Sequence, residues 1–86
     1  MSRYRVEVAR RAAKAIAVLP RKEQQRIRAI VELLADDPRP PGCVAMVGEP
    51  NAYRVRSGDY RVVYEVLDER LLVHVVRAGH RRDVCR

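Results

Sequence analysis

From Ala52 onward, hydrophobic and polar positions alternate in three runs, Ala52 to Arg56, Tyr60 to Leu67 and Leu71 to Ala78. Each run is rich in Val, Tyr or Leu, and short polar segments separate the runs, which is typical of β-strands joined by turns. The pattern therefore predicts a three-stranded antiparallel meander, and the rest of the chain is expected to pack against it.

The alternation sorts the middle run into two faces, because successive side chains of a strand point to opposite sides of its sheet. One set is almost wholly apolar and is expected to be buried: Tyr60, Val62, Tyr64 and Val66. The other set is mixed and is expected to face outward: Arg61, Val63, Glu65 and Leu67.

Two-residue turns at 57–58 and 68–69 would fix the pairing of the three strands. Counting from them pairs four sets of apolar residues on the buried face: Tyr53 with Val62, Val55 with Tyr60, Val73 with Tyr64, and Val75 with Val62. On the outward face Arg54 falls opposite Arg61, and Arg56 and His74 lie on the same side. Arginines directly across strands repel one another, which favours an anionic ligand on this surface. We call it the arginine face, after Arg54, Arg56 and Arg61.

A plainer interpretation of the arginine face is a solvated side of a one-sided sheet, which is the usual position of any single strand arginine. Three arginines on one face, followed by His80, Arg81 and Arg82, are less well explained in that way.

The first half of the chain predicts one short strand and two helices. Tyr4 to Val8 alternates like an edge strand, and Ala9 to Leu19 places small and apolar residues on one helical stripe. A second amphipathic helix is predicted to begin with Pro20 at its first position and to end before Pro38. Its apolar stripe has helical spacing: Ile27, Ile30, Val31 and Leu34.

A rigid connector from Pro38 to Gly42 and a brief strand within Cys43 to Val47 lead into the meander. The predicted fold class is α+β, with an N-terminal strand and a two-helix hairpin packed on a small, mainly antiparallel sheet in the order β-α-α-β-β-β. With 86 residues and no repeat, residues 1–86 form a single predicted domain.

The charge balance favours a polyanionic partner. The chain has 18 Lys and Arg against 11 Asp and Glu, a formal net charge of +7, and 16 of the 18 basic residues are arginine. Arginine presents a planar fork that matches phosphate oxygens, so nucleic acid leads the expected partners. A GC-rich coding sequence would also raise the arginine content, but it would not collect the arginines on one face.

Several other classes of protein are disfavoured by the sequence. No apolar signal segment or membrane span is evident, so a soluble cytoplasmic protein without a membrane partner is expected. Cys43 and Cys85 are too few for a disulfide framework and lack metal-ligand spacing. We therefore expect free thiols, no metal and no other cofactor.

Three segments of the meander together resemble the RelE/ParE toxins of bacterial type II toxin-antitoxin systems. They are YRVR at 53–56, GDYRVVY at 58–64 and GHRRDV at 79–84, and the resemblance extends over nearly the whole chain. The last segment is more similar to the RelE branch, which cuts messenger RNA in the ribosomal A site, than to the gyrase-poisoning ParE branch. The resemblance thus implies an endoribonuclease that inhibits translation, acts on ribosome and mRNA, and forms a hetero-oligomeric complex with a cognate antitoxin.

The resemblance also implies roles for single residues. Arg61 and Arg81 would stabilise the transition state at the scissile phosphate. Arg54 and Arg56 fall where RelE has lysines that bind RNA and support proton transfer, but an arginine stays protonated and cannot act as a base. Cys85 replaces a tyrosine that helps to position the substrate.

The remaining candidates follow from the chemistry, which is attack of a ribose 2′-OH on the adjacent phosphate. Of the two histidines, His80 adjoins Arg81 and is the favoured base, whereas His74 and Arg82 are candidates for contact with RNA. A plainer interpretation of His74 is a filler on a half-exposed strand. Two alternatives stay open: a ParE-like inhibitor of DNA gyrase, and a degenerate member that only binds its antitoxin. The changes at Arg54, Arg56 and Cys85 keep the degenerate alternative open.

Overall fold

A computed structural model of the 86-residue chain describes residues 3–80. It contains five strands, two α-helices and one short 3-10 helix. In chain order they are β1 Arg5–Val8, α1 Arg10–Ala17, α2 Arg21–Asp36, β2 Val44–Ala45, β3 Ala52–Ser57, β4 Tyr60–Leu67, the 3-10 helix Asp68–Arg70, and β5 Leu72–His80.

The five strands form one mixed sheet in the order β1-β5-β4-β3-β2. The strands β2 to β5 pair with one another in antiparallel fashion, and β1 lies at the edge, parallel to β5. Both helices pack on one side of this sheet, which we call the helix face. The predicted α+β class and the edge position of the first strand are confirmed.

The core lies between the helices and the helix face. From the helices it takes Ala12, Ile27 and Leu34, each at most 1% exposed. From the sheet it takes the apolar set of the middle strand, with Tyr64 fully buried, as the alternation predicted. Between residues 3 and 80 no helix is both long enough and apolar enough to cross a membrane.

The helix ends differ slightly from the prediction, and proline explains one difference. Pro20 has ψ 148°, which is extended, so it caps α2 and the helix begins at Arg21 instead of at the proline. At the other end Asp37 is also extended (φ −142°, ψ 95°), because the following Pro38 disfavours helical geometry in the residue before it. This end was predicted correctly.

The predicted register of the β3–β4 hairpin was wrong by two residues. The turn is Gly58-Asp59 instead of Ser57-Gly58, so Arg56 pairs with Arg61, and Arg54 pairs with Val63. Gly58 has φ +60° in the first turn position, where a type II′ hairpin turn favours glycine. Because the error is an even number of residues, every side chain keeps its predicted face. The helix-face partners become Tyr53 with Tyr64 and Val55 with Val62.

The connection from β4 to β5 was also predicted incorrectly. A 3-10 helix followed by Leu71 in the left-handed region, at φ 47°, replaces the tight turn at 68–69. Val73 therefore pairs with Val66, and Val75 pairs with Tyr64. Beyond this point the register shifts, since the next pair is Val63 with Arg77. Val76 is the extra residue of a β-bulge.

Candidate nucleic-acid interface

The arginine face is built from two neighbouring rows of residues that cross the sheet. One row runs Val44, Arg54 and Val63 on β2, β3 and β4, and the next row places Arg56 beside Arg61 on β3 and β4. Paired residues in such rows share a face of the sheet, so the three arginines lie on one side as the alternation predicted. His74 lies on the same side, opposite Glu65.

A cleft of about 380 Å³ opens among these arginines. We call it the basic cleft, and its lining consists of Pro41, Gly42, Val44, Arg54, Val55, Arg56 and Arg61. Among residues 3–80 the lining holds three guanidinium groups and no carboxylate, imidazole or thiol. The described part of the basic cleft is therefore suited to bind and stabilise an anion, and none of its lining side chains is a proton acceptor.

The arginines of the basic cleft differ in how they are held. Within residues 3–80, neither Arg54 nor Arg56 takes part in an ion pair, and Arg56 is exposed. Arg61 is half-buried directly across from Arg56. Like charges directly opposite in a sheet are destabilising, so this arrangement costs stability unless an anion lies against it.

The connector from Pro38 to Gly42 forms one wall of the basic cleft. The Tyr64 hydroxyl donates to the Pro38 carbonyl at 2.8 Å, and burial raises the pKa of this tyrosine. Gly42 has φ +93°, a left-handed conformation that side chains rarely adopt, where the connector reaches the cleft.

Arg39, which is itself a residue of this connector, anchors the connector to other parts of the fold. Arg39 forms a two-point ion pair with Asp68 (2.7 and 3.2 Å) and donates from Nε to the Tyr53 hydroxyl at 2.9 Å. The Tyr4 hydroxyl also donates to Asp68, at 2.6 Å. The hydrogen bonds from Arg39 and Tyr4 lower the pKa of Asp68 to about 2. We call these four residues the Arg39 cluster, and it ties together the residue before β1, the connector, β3 and the β4–β5 connection.

The two histidines occupy different places. His74 is on the arginine face, where its Nδ1 lies 3.5 Å from Glu65. His80 pairs with Tyr60 on the helix face, and its ring meets the Tyr60 ring edge-on with centroids 5.6 Å apart. The residues described thus do not bring His80 onto the face that carries Arg61, and the role of His80 as a base stays a prediction.

Three predicted site residues, Arg81, Arg82 and Cys85, lie outside the described residues. One basic residue was missed: Arg77 lies on the arginine face because of the bulge at Val76. Simple alternation assigns Arg77 to the helix face, so only a prediction of the bulge would have found it. The described residues contain no group of three His, Cys, Asp or Glu placed to hold a metal ion.

Comparison with known proteins agrees with this architecture. Residues 3–84 match the family model for the ParE toxin of the type II toxin-antitoxin system parDE. A protein of Methanocaldococcus jannaschii assigned as the toxin RelE1 is 31% identical over 85 residues, covering 94% of this chain and 92% of that protein.

Solved structures of toxin-antitoxin complexes contain the same fold. The toxin of the Escherichia coli RelBE complex is 28% identical with a TM-score of 0.78, covering 90% of this chain and 95% of that one. The archaeal RelE-RelB complex of Pyrococcus horikoshii gives 28% identity and a TM-score of 0.78, with 91% and 94% covered. The chain belongs to the RelE/ParE family, the toxins of type II toxin-antitoxin systems.

Proposed function

We propose that this protein is a cytoplasmic, ribosome-dependent endoribonuclease that cuts messenger RNA, inhibits translation, and is silenced by a cognate antitoxin. The observation that carries the proposal is the basic cleft, in which Arg54, Arg56 and Arg61 converge and whose lining contains no carboxylate among residues 3–80. The RelE assignment of the relatives supports an RNA substrate over a protein target.

The proposed reaction is attack of a ribose 2′-OH on its own 3′ phosphate. The new bond joins the 2′ oxygen to phosphorus, the bond to the 5′ oxygen of the next nucleotide breaks, and a 2′,3′-cyclic phosphate and a 5′-OH result. Negative charge grows on the phosphoryl oxygens during this step, and fixed guanidinium groups stabilise it. We assign this role to Arg61, which lies on β4 between the strands β3 and β5.

Proton transfer requires groups beyond the lining of the basic cleft. We assign the base to His80, at the end of β5, and expect Arg81 and Arg82 to contact the phosphate and the RNA. Because His80 lies beside Tyr60 on the helix face, the RNA would have to pass around the end of the sheet to reach it. Replacing His80 by glutamine should then lower the cleavage rate, because glutamine cannot accept the 2′-OH proton.

The antitoxin is expected to cover apolar surface as well as charge. A groove of about 300 Å³ lies between α1, α2 and the end of β1, lined mainly by small and aliphatic residues. Val8, which lines this groove, is 41% exposed, and elsewhere on α2 Leu33 is 51% exposed. An amphipathic antitoxin helix would bury this surface, and saturating antitoxin should raise the melting temperature.

Expression of the chain alone in a bacterial host tests the proposal. Induction should stop growth and protein synthesis, and co-expression of the cognate antitoxin should restore both. Induction of the Arg61→Ala variant to the same level should stop neither growth nor protein synthesis. Growth arrest with continued translation and DNA trapped on gyrase would contradict the proposal and assign the chain to the gyrase inhibitors, which the ParE family match keeps in view. Absence of arrest would indicate a degenerate member.

A further inference from the structure

The bulge at Val76 changes which side chains of β5 face the helices. Before the bulge Val75 pairs with Tyr64, and after it Ala78 pairs with Val62, both pairs lying in the core. A regular strand would instead have placed Arg77 opposite Val62. Burying an unpaired guanidinium there would be costly, whereas Ala78 fits with 5% exposure. The bulge thus moves Arg77 to the arginine face.

Arg77 continues the row of Arg54 across the sheet. Arg54 pairs with Val63 on one side, and Val63 pairs with Arg77 on the other. Two strand spacings separate the two arginine backbones, roughly 10 Å. Val63 is only 8% exposed between them, although it lies on the outward face. The basic surface therefore extends beyond the cleft, across β4 and onto β5.

The charge of Arg77 is available to a ligand. Its side chain is exposed and takes part in no ion pair or hydrogen bond within residues 3–80. The nearest carboxylate on this face of β4 belongs to Glu65, and its Oε1 atom lies 3.5 Å from Nδ1 of His74. Arg3, Arg5 and Arg39, in contrast, all pair with carboxylates.

We propose that Arg77 is a further RNA-binding residue, which holds a backbone phosphate next to the one bound by Arg54. The inference rests on the function proposed above and adds a residue for binding, not for chemistry. An RNA strand that follows the row would cross β3, β4 and β5, with Val63 beneath it. Removing Arg77 should consequently weaken binding of RNA and leave the cleavage rate of the bound complex unchanged.

The variants Arg77→Gln and Arg70→Gln form a matched pair. Arg70 is exposed and lies at the opposite end of β5. Both changes therefore remove one positive charge, but only Arg77→Gln alters the row that contains Arg54 and Val63. On ribosomes programmed with a cleavable messenger, Arg77→Gln should raise the half-saturating ribosome concentration about tenfold. The maximal single-turnover rate should change less than twofold. Arg70→Gln should match the parent, and Arg77→Lys should recover most of the loss.

A second measurement does not depend on cleavage. Binding of a 2′-O-methyl RNA oligonucleotide is titrated at several KCl concentrations, and the slope of log affinity against log salt should fall by about 0.7 in Arg77→Gln, the value for one lost phosphate contact on a single strand. Arg70→Gln should keep the parental slope. Thermal melting of each variant serves as the folding control.

The outcomes separate the inference from the proposed function. If the parent cleaves and Arg77→Gln equals Arg70→Gln in half-saturation and in salt slope, the inference is overturned. It is also overturned if Arg77→Gln weakens only antitoxin binding. If the parent does not cleave, the proposed function fails, and the salt slope alone then supports or overturns a role of Arg77 in binding RNA.

Discussion

The arginines of this small domain are held in two opposite ways, one seen in the Arg39 cluster and the other in the basic cleft. In the Arg39 cluster the guanidinium makes a two-point ion pair with Asp68, donates to Tyr53, and lies 5.2 Å from the centre of the Tyr53 ring. In the basic cleft Arg54 and Arg56 have no ion pair within residues 3–80, and Arg56 stands directly across from Arg61.

The contrast between the Arg39 cluster and the basic cleft separates structural from functional arginines in an arginine-rich chain. The Arg39 guanidinium finds its complementary charge inside the fold, so its expected effect is on stability. In the basic cleft Arg56 stands directly across from Arg61, so two positive charges repel one another, and an anion bound against them relieves this repulsion. Composition alone cannot make this distinction, because 16 arginines look alike in the sequence.

The largest expected effect is loss of cleavage in Arg61→Ala. Removing a cation that stabilises the phosphoryl charge should lower the single-turnover cleavage rate by about 10² or more, without lowering the melting temperature. Arg39→Ala is the matched contrast, because it should lower the melting temperature and leave the rate of the folded protein near that of the parent. Equal losses of cleavage rate in the two variants would contradict the distinction between the Arg39 cluster and the basic cleft.

The second effect concerns the C-terminal position 85, where the family resemblance implies a tyrosine. Cys85→Tyr would add a ring for stacking on a base, worth about 1 to 3 kcal/mol, so cleavage should rise by about one to two powers of ten. Cys85→Ser should change little, since His80 is the proposed base. Loss of activity in the serine variant, without a gain in the tyrosine variant, would transfer the functional role to the thiol.

A smaller effect is expected at the wall of the basic cleft. Tyr64→Phe deletes the hydroxyl that donates to the buried Pro38 carbonyl, and the unpaired carbonyl should cost about 1 to 3 kcal/mol of unfolding free energy. Urea unfolding at pH 7 measures this cost. Tyr53→Phe removes only an exposed bond from Arg39 and should cost less. The reverse order would show that the connector is held mainly by the Arg39 cluster.

The smallest effect is a dependence of stability on acid pH at Asp68. Arg39 and Tyr4 lower its pKa from 3.8 to about 2, so the ionised carboxylate contributes stability at pH values above about 4. That contribution is lost as the pH falls toward 2. The difference in melting temperature between the parent and Asp68→Asn should therefore shrink over this range. A constant difference from pH 7 to pH 2 would contradict the ion pair in solution.

Much of the fold was predictable because alternation and helical spacing are local properties. They gave the strands, both helices and the face on which Arg54, Arg56, Arg61 and His74 lie. The register was not predictable, because it depends on the left-handed Leu71, on the 3-10 helix before it, and on the choice of turn residues.

The candidate site was only partly predictable for a related reason. The bulge at Val76 places Arg77 on the arginine face and His80 on the helix face. The local sequence composition does not indicate this bulge. The Arg39 cluster was missed as well, since Tyr4 and Asp68 are 64 residues apart in sequence and meet only in the folded chain.

The central claim is that the basic cleft promotes attack of a ribose 2′-OH on the adjacent phosphate. The most direct test incubates the purified protein with ribosomes programmed with messenger RNA and identifies the ends that it produces. We predict a 2′,3′-cyclic phosphate and a 5′-OH at the cut, no cut when the nucleotide on its 5′ side carries a 2′-deoxyribose, and no cut by Arg61→Ala. Cleavage of the deoxy-substituted messenger, or unchanged cleavage by Arg61→Ala, would contradict the central claim.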